Sequence, residues 1–424
     1  MELINNNQVP EGYKKTEIGV IPEDWDVVSI TKATSAIFLG LTAKVDYVNS
    51  GGIPLIRATD IASGRLKFSD ARSISVRQHK QLTRYRRPKK EDVLVSKSGS
   101  LGVCAIVDVD RDFSIYESII VIQSNSLLNS NFLLWLVRDE RTQIRIIGEK
   151  VGSTVGHLNL EMFRKLLIPL PPLPEQKAIA QTLSDVDALI AALDKLIAKK
   201  RNIKTATMQQ LLTGKTRLPG FCGEWEIKKV GTLGSTYGGL TGKKKSDFGN
   251  GLFQYITFLN IMNNIVIDTS IVEKVNIKKN ENQNAVKKND LFFNTSSETP
   301  EEVGMCSILT EEVADVYLNS FCFGFRLEDN VKIDGLYLTY FFRSDQGRNL
   351  IYSLAQGATR YNLSKTNFLK LSLNLPPLPE QKAIAQVLSD IDTEITALEK
   401  RRAKTQAIKQ GMMQELLIGR TRLI

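Results

Sequence analysis

The stretch LPPLPEQKAIAQTLSDVD, residues 170–187, occurs a second time as LPPLPEQKAIAQVLSDID at residues 375–392. The two copies agree at 16 of 18 positions, and the similarity continues without a gap to Leu218 and Leu423. Chance does not produce such agreement at a fixed spacing of 205 residues. The chain therefore consists of two related halves.

Each copy predicts one long helix. Prolines hold the chain extended ahead of Glu175 and Glu380, which place negative charge at the helix N-terminus. Gly214 and Gly419 are expected as left-handed C-caps. Between these limits apolar residues recur at spacings of three and four, which predicts a coiled-coil seam. The seam residues are Ile179, Leu183, Val186, Ile190, Leu193, Ile197, Ile384, Leu388, Ile391, Ile395 and Leu398.

Equal length and matching register favour pairing of the two helices with each other. The alternative is that each helix packs only on its own domain. An antiparallel pair would place one domain at each end and bring the C-terminus near the N-terminus. The predicted fold is α+β, with two pseudo-repeated globular domains separated by two long antiparallel coiled-coil helices in a cyclic, quasi-two-fold arrangement. The predicted boundaries are 1–169 and 219–374 for the domains, and 170–218 and 375–424 for the helices.

The two domains share a few features and otherwise diverge. Both open on a tryptophan, Trp25 or Trp225, expected as a core anchor rather than a stacking platform. Apolar runs predict strands at 92–96, 114–121, 290–294 and 316–325. Longer patterns predict helices at 131–148 and 335–354.

The composition is that of a soluble globular protein. The 424 residues carry 56 Lys and Arg against 46 Asp and Glu, and 42% are hydrophobic. No apolar run is long enough to span a bilayer, and the start of the sequence has no signal-peptide core, which indicates a cytoplasmic protein. Four widely spaced cysteines and two histidines argue against a disulfide framework and a metal site. The net charge of +10 favours a polyanionic partner only weakly, because residues 219–374 are neutral overall.

The repeated motifs resemble those of a known family. PLPEQKAIAQ followed by a long helix ending in LLTGKTRL, found twice with small changes, is similar to the DNA-specificity subunit of type I restriction-modification systems. The stretches TEIGVIPEDW and TRLPGFCGEW, which open the domains, and TSSETPEEVG at residues 295–304 are similar to that family too. The resemblance covers essentially the whole chain.

This resemblance implies a non-catalytic DNA-recognition subunit. The globular domains would be target recognition domains, each reading one half of a bipartite, asymmetric DNA site. The helix pair would set the gap and dock two methyltransferase (modification) subunits, with restriction-translocation subunits joining for cleavage. The chain itself would bind no cofactor, since S-adenosylmethionine belongs to the methyltransferase subunits and ATP with Mg to the restriction subunit, where one is present. The partners would be double-stranded DNA and these subunits, with no membrane.

Two other functions stay open from the residues alone. One is a coiled-coil adaptor whose domains bind proteins. The other is an enzyme, although no catalytic or metal site emerges. The nearest approach to a phosphate-binding loop, residues 238–244, is one residue too short between its outer glycines and lacks the Ser or Thr after lysine.

Candidate DNA contacts come from basic runs, from polar loops after matching strands, and from the segments where each domain approaches its helix. Solvated surface runs and ordinary turns are the alternative for all of them. In the first domain the candidates are Arg57, Thr59, Asp60, Arg84, Arg86, Arg87, Lys89, Lys90, Lys97, Ser98, Ser100 and His157. In the second they are Lys243, Lys244, Lys245, Asn260, Asn263, Asn264, Ser296, Ser297, Glu298, Arg360 and Tyr361. Asn362 is expected to cap a helix. The bases that are read do not follow from the sequence.

Overall fold

The computed structural model describes residues 9–40, 44–147, 158–357 and 360–423. The chain divides into two compact units, the first of residues 1–194 and 401–424 and the second of residues 195–400. Each unit combines one globular domain with parts of two long helices. The chain therefore passes from the first unit into the second and back.

The first unit is built from short strands around two four-stranded sheets. Its strands are β1 (Tyr13–Thr16), β2 (Gly19–Pro22), β3 (Asp26–Ser29), β4 (Thr34–Leu39), β5 (Tyr47–Val48), β6 (Ile53–Ile56), β7 (Arg72–Ile74), β8 (Val93–Ser96), β9 (Cys104–Ile106), β10 (Ser114–Ile115), β11 (Ile119–Ser124) and β12 (Leu167–Leu170). Its helices are α1 (Val76–Leu82), α2 (Ser130–Arg138), α3 (Glu140–Ile147), α4 (Leu160–Arg164) and the first part of α5 (Leu173–Leu211). One sheet is antiparallel in the order β4-β11-β8-β9, and the other has the order β10-β6-β7-β5 with β10 and β6 parallel.

The core of this unit lies between the antiparallel sheet and α2. All four residues of β8 are buried, which explains its continuous apolar run. Helix α2 begins after Asn129, whose side chain accepts a hydrogen bond from the Phe132 N–H. Phe132 and Trp135 on this helix are almost fully buried against the sheet.

The second unit repeats this plan. Its strands are β13 (Glu226–Lys229), β14 (Gly234–Gly238), β15 (Phe248–Ile256), β16 (Val272–Val275), β17 (Leu291–Asn294), β18 (Ser296–Ser297), β19 (Cys306–Ile308), β20 (Val316–Leu318), β21 (Cys322–Leu327), β22 (Tyr361–Asn362) and β23 (Ser372–Leu375). Its helices are α6 (Phe258–Asn263), α7 (Gly335–Arg343), α8 (Asp345–Tyr352), α9 (Lys365–Leu369), the last part of α5 and the first part of α10 (Leu378–Leu416). The antiparallel sheet β14-β21-β17-β19 has the topology of β4-β11-β8-β9, and β20 is parallel to β15 as β10 is to β6.

The long helices confirm the prediction from the repeat. Both α5 and α10 are 39 residues long, and Pro174 and Pro379 lie in their first turns. Gly214 and Gly419 both have φ of 70°, the left-handed conformation expected of helix C-caps. Each element therefore begins and ends where its local signals place it.

Antiparallel pairing of the helices is seen in the first unit. Asp187 of α5 pairs with Lys409 of α10 at 2.5 Å, and Asp194 pairs with Arg402 at 3.0 Å. As the residue number rises along one helix, it falls along the other. The predicted antiparallel arrangement is therefore confirmed within this unit.

The second unit repeats the same pairing with different residues. Lys200 pairs with Glu394, and Lys204 pairs with Asp392 at 2.5 Å. These lysines occupy positions where apolar residues of the seam give way to polar ones. The polar stretch of one helix therefore lies against the other helix and forms cross-helix ion pairs. Because these side chains keep 19–55% of their surface exposed, each pair contributes only about 0–1 kcal/mol.

The predicted seam residues are mostly buried. Those under 10% exposed are Ile179, Leu183, Ile190, Leu193, Ile197, Ile384, Leu388 and Ile395. Those of intermediate exposure are Val186, Ile391 and Leu398. The first two residues of each copy pack into the domain cores as well, so the start of each helix is part of a globular domain.

Four of the predicted domain elements are each divided in two. A tight turn interrupts the strands predicted at 114–121 and 316–325. Extended backbone at Asp139 and Ser344 interrupts the helices predicted at 131–148 and 335–354, of which Gly148 lies outside the described residues. The Ser344 hydroxyl accepts from the Gly347 N–H and starts a new helix. Within the described parts of the chain, no helix is long and apolar enough to cross a membrane.

Candidate nucleic-acid interface

Two of the predicted contact segments in the first unit meet at the turn formed by residues 116–118. The Lys97 N–H donates to the Ser118 carbonyl at 2.7 Å, and the Ala58 N–H donates to the Ser118 hydroxyl at 3.1 Å. The Leu158 N–H donates to the Lys97 carbonyl at 3.1 Å, so the chain that follows the predicted His157 reaches the same place. His157 itself lies outside the described residues. We call segments 57–60, 97–100 and 116–118 the first junction.

The second unit forms the equivalent arrangement. The Thr295 N–H donates to the Phe321 carbonyl at 2.8 Å, and the Asn319 N–H donates to the Ile256 carbonyl at 3.1 Å. The Leu363 N–H donates to the Thr295 carbonyl at 2.9 Å, as Leu158 does to Lys97 in the first unit. We call segments 257–260, 295–298, 319–321 and 360–362 the second junction. Sequence reasoning selected segments in both junctions but missed both turns, because each lies inside an apparent strand.

Only some of the candidate side chains at the first junction face solvent. Asp60 is 4% exposed and accepts hydrogen bonds from the Arg57 backbone N–H at 2.8 Å and from its guanidinium at 3.4 Å. This pair fixes the turn, so the structure gives Asp60 a structural role. Thr59 and Ser100 are exposed, whereas Lys97 and Ser98 are half-buried.

The basic run of the first unit forms an exposed loop after α1. Its five cationic candidates are all exposed: Arg84, Arg86, Arg87, Lys89 and Lys90. Tyr85, which the sequence reasoning did not select, is 87% exposed, and the Arg84 guanidinium lies 5.4 Å from its ring centroid. Arg87 pairs with Asp112 at 3.3 Å in an exposed, weak contact. The loop therefore presents positive charge and an aromatic ring together.

The basic run of the second unit contains one buried lysine and two exposed ones. The Lys243 side chain is 2% exposed, pairs with Glu281 and donates to the Asn276 carbonyl at 2.6 Å. Its hydrogen bond lowers the pKa of the Glu281 carboxyl. Lys243 therefore holds the loop together, and only Lys244 and Lys245 are exposed to meet a phosphate.

The three candidate asparagines also differ in whether their side chains are buried or exposed. The Asn260 amide donates to the carbonyls of Asp268 and Ile271 at 2.8 and 2.9 Å, and its oxygen accepts from the Asp268 N–H and the Asn264 amide. With its side chain saturated and 2% exposed, Asn260 organises the loop after α6 rather than presenting an edge to a base. Asn264 is half-buried, and Asn263 is exposed.

The remaining candidates of the second unit are brought side by side by pairing of β18 with β22. Ser296 pairs with Asn362, and Ser297 pairs with Tyr361. Both serines are under 10% exposed, whereas Glu298 and Arg360 are exposed and Tyr361 is half-buried. Asn362 belongs to β22, and the cap of the following helix is Ser364, so the expectation that Asn362 caps a helix is wrong.

The repeated motif holds the first unit together. Glu175 at the start of α5 is 2% exposed and accepts from Arg422 at 2.7 and 2.8 Å and from the Trp25 indole at 2.9 Å. Arg422 also binds Asp24 at 2.8 and 2.7 Å, and this hydrogen bond lowers the pKa of Asp24. In addition, Tyr13 donates to the Gly419 carbonyl at 2.9 Å. Segments close to the two termini therefore meet at the start of α5, as the cyclic arrangement requires.

In the second unit the equivalent glutamate, Glu380, has one side-chain partner fewer than Glu175 among the described residues. Glu380 is fully buried and paired with Arg217, whose Nη2 lies 2.6 Å from Glu380 Oε2. The Arg217 guanidinium lies 5.7 Å from the centroid of the Trp225 ring, which is half-buried rather than fully buried like Trp25. We call these two arrangements the first and second clasps.

The glutamine that follows each of these glutamates anchors a domain helix. Gln176 is 1% exposed, accepts from the Asn129 N–H at 2.8 Å and donates to the carbonyls of Leu127 and Pro171. Asn129 is the residue that caps α2. Gln381 likewise accepts from the N–H of the residue that caps α7. The Glu-Gln pair therefore joins the long helix to the domain core.

Equivalent buried carboxylates beside the central strands have different partners in the two units. Asp92 accepts from the Lys89 N–H at 2.7 Å and the Gln123 amide at 2.8 Å, and burial raises its pKa. Asp290 instead binds the Arg326 guanidinium at 2.6 and 2.8 Å and the Tyr237 hydroxyl at 2.5 Å. Burial, followed by the charge of Asp290, raises the pKa of Tyr237. Among the described residues, Asp92 therefore has no cationic side chain paired with it, whereas Arg326 neutralises Asp290.

His79 is buried on α1, directly before the basic loop. Its side chain is packed within the domain, and Nδ1 lies 2.9 Å from the Ser114 hydroxyl. Burial lowers its pKa from the ordinary value. In the described residues no group of three or more His, Cys, Asp or Glu side chains is placed to hold a metal ion.

Comparison with known proteins gives a consistent family. The family model described as "Type I restriction modification DNA specificity domain" matches residues 22–201 and 223–410. A relative from Methanocaldococcus jannaschii, provisionally named the type I restriction enzyme MjaX specificity subunit, is 26% identical over 442 residues, covering 97% of each chain. The MjaVIII specificity subunit from the same organism is 25% identical over 444 residues, covering 100% of this chain and 99% of that one.

Solved structures agree at the level of the fold. The S subunit of a type I restriction-modification system from M. genitalium matches with a TM-score of 0.58 at 14% identity, covering 98% of both chains. A chain from a study of complex assembly and conformational transition of the type I R-M system matches with a TM-score of 0.54 at 16% identity, covering 95% of this chain and 99% of that one.

Proposed function

The chain belongs to the family of type I restriction-modification DNA specificity subunits, and we propose that each unit reads one half of a bipartite, asymmetric DNA site. The two junctions carry this proposal. They share one backbone arrangement and differ in the side chains they expose. Thr59 and Ser100 are exposed at the first, whereas Glu298, Arg360 and Phe321 are exposed at the second. A shared frame with different exposed groups suits two readers of different base sequences.

Exposed positive charge in each unit would supply affinity for DNA without sequence preference. The exposed loop around Arg84 and Lys90 serves this role in the first unit, and Lys244 with Lys245 does so in the second. Such contacts neutralise phosphates and release counterions, so binding weakens as salt rises. Phosphate contacts then position the protein, and the junctions specify the sequence.

The helix pair would set the gap between half-sites and dock two methyltransferase subunits. Small residues allow another helix to approach closely, and Ala188, Ala192 and Ala198 are exposed on α5. The chain would contribute recognition and no catalytic step. S-adenosylmethionine would bind the methyltransferase subunits, and ATP with Mg would bind a restriction subunit where one joins the complex.

Methylome sequencing of host DNA, with and without this chain, tests the proposal. We expect methylation of two short sequences at a fixed spacing, lost when the chain is removed. Exchange of residues 219–374 for the corresponding domain of another specificity subunit should change one half-site only. A change in both half-sites would contradict independent reading by the two units.

Helix length provides a separate test of the spacer role. Adding one heptad at matching positions of α5 and α10 lengthens each helix by about 10 Å, since each residue adds about 1.5 Å. That length corresponds to about three base pairs at 3.4 Å per step along one strand. We expect a longer gap with both half-sites unchanged. Complexes that bind proteins but ignore DNA sequence would instead favour the adaptor function.

A further inference from the structure

Phe321 is an exposed aromatic side chain at the centre of the second junction. It is 56% exposed, although phenylalanine is among the residues most often fully buried. The equivalent position of the first junction is Ser118, whose carbonyl accepts from Lys97 as that of Phe321 accepts from Thr295. The same backbone position thus presents an apolar ring in one unit and a small hydroxyl in the other.

The backbone that carries Phe321 is tightly held. Its N–H donates to the Asn319 side chain at 2.9 Å, and its carbonyl accepts from the Thr295 N–H at 2.8 Å and the Thr295 hydroxyl at 2.7 Å. The Cys322 N–H closes the turn on the Asn319 carbonyl at 3.0 Å. A fixed backbone with an exposed ring is pre-organised, so little ordering entropy is lost when the ring meets a partner.

The groups that adjoin this ring on the β18 and β22 side are polar, and Leu259 on another segment of the junction is a second exposed apolar side chain, 66% exposed. Thr295 leads directly into Ser296 and Ser297 of β18, which pairs with β22, and the exposed Arg360 adjoins that strand. Hydrogen-bonding groups of this kind match the donors and acceptors on base edges, which an apolar ring cannot use. The one apolar group that a base pair presents in the major groove is the C5-methyl of thymine, and phenylalanine is among the side chains that contact it.

We propose that Phe321 contacts the C5-methyl group of a thymine in the half-site read by the second unit. This inference rests on the proposed function, because it takes the second junction as a DNA-reading surface. It assigns an apolar, methyl-specific contact to one unit and none to the equivalent position of the other. The two half-sites would then differ in their dependence on a thymine methyl at the corresponding place.

Deoxyuridine substitution tests the contact, since it removes only the methyl group. After methylome sequencing has identified the site, the complex of the full chain with its methyltransferase subunits is titrated with duplexes carrying deoxyuridine at one thymine at a time. We expect wild-type affinity to fall about fourfold at one position of one half-site, which is what burying a single methyl is worth. Phe321→Ala should weaken binding to the natural duplex and show no further loss at that position.

Two variants serve as controls. Ile227→Ala removes another apolar side chain of the same unit, 77% exposed and outside the junction, and should keep wild-type affinity and sensitivity to deoxyuridine. Phe321→Leu keeps an apolar contact and should retain part of the sensitivity even if the alanine variant fails to fold.

Three results would overturn the inference. They are a half-site without an A·T pair, wild-type affinity that is indifferent to deoxyuridine at every thymine, and unchanged sensitivity in both Phe321 variants. These results leave the proposed function intact, because the wild-type complex would still bind its bipartite site. Failure of wild-type complexes to recognise any such site would instead refute the proposed function.

Discussion

Arg422→Ala should destabilise the first unit through the carboxylate that it leaves behind. Glu175 is 2% exposed and accepts two hydrogen bonds from Arg422, at 2.7 and 2.8 Å. The contact raises the pKa of Arg422, so its guanidinium stays charged throughout the accessible pH range. Removing the arginine leaves Glu175 with the Trp25 indole at 2.9 Å as its remaining side-chain partner in the described residues.

The expected loss of unfolding free energy depends on how deeply Glu175 and Arg422 are buried. Removing one partner of a buried ion pair costs about 3–5 kcal/mol, because the other charge is left uncompensated. Here the Arg422 side chain is 32% exposed, so water reaches Glu175 once the arginine is gone. The half of the contact that involves Asp24 is more exposed, and such pairs contribute about 0–1 kcal/mol. The exposure of Arg422 reduces the expected loss of unfolding free energy to about 2 kcal/mol, below the range for a fully buried pair.

Urea unfolding followed by tryptophan fluorescence measures this loss, because Trp25 belongs to the clasp itself. Arg420→Ala provides a matched control in the same segment. Arg420 lies 3.6 Å from Glu415, and both side chains are well exposed, so its loss should cost less than about 0.5 kcal/mol. Equal destabilisation by the two substitutions would refute the assignment of Glu175 as the residue whose burial sets the cost.

Three further predictions concern the buried and exposed charges. Asp92→Asn should leave the first unit as stable or more stable at pH 7, because burial raises the pKa of Asp92 and its ionisation above that pKa destabilises the folded unit. Asp290→Asn should instead cost about 1–3 kcal/mol of unfolding free energy, because it leaves the Arg326 guanidinium without its carboxylate. The opposite order of stability in urea unfolding would contradict this reasoning. The wild-type protein should lose stability below pH 6.5, because the pKa of His79 is lowered in the folded state and the unfolded chain therefore binds the proton first. His79→Asn should abolish this loss, and an unchanged pH profile of the thermal midpoint would argue against it. Lys244→Ala combined with Lys245→Ala should reduce the slope of log affinity against log salt by about 1.8, as measured by DNA titration at several salt concentrations, and an unchanged slope would exclude both as phosphate contacts.

The features that could be predicted from the sequence are those with local signals. Proline before each long helix and glycine after it determine where α5 and α10 begin and end, and the repeat shows that there are two. The division of the predicted strand at 316–325 could not be seen in the same way. Its turn depends on bonds from Asn319 to β15 and from Thr295 to Phe321, which join segments distant in sequence.

In the candidate site, too, contacts between segments distant in sequence decide the role of a residue. Lys243 and Asn260 have the residue types expected of DNA contacts, yet both side chains are buried and bound to partners elsewhere in the unit. Phe321 was not selected, because an apolar residue in an apolar run resembles core. Residue type alone therefore does not separate structural side chains from exposed ones, because that distinction depends on their tertiary partners.

The division between repeated and divergent positions has a structural cause. Glu175 and Gln176, which are identical in both copies, bind the segment that follows the other long helix and the start of a domain helix. Any change at these positions must preserve both contacts, so they tolerate little variation. Phe321 is joined to its unit through hydrogen bonds of its own backbone, which do not depend on its side chain, whereas the Ser118 hydroxyl accepts from the Ala58 N–H and so takes part in the frame. The Phe321 side chain can therefore change while the clasps stay the same, and under the proposed function this would let the second domain acquire its own base sequence without altering the helix pair.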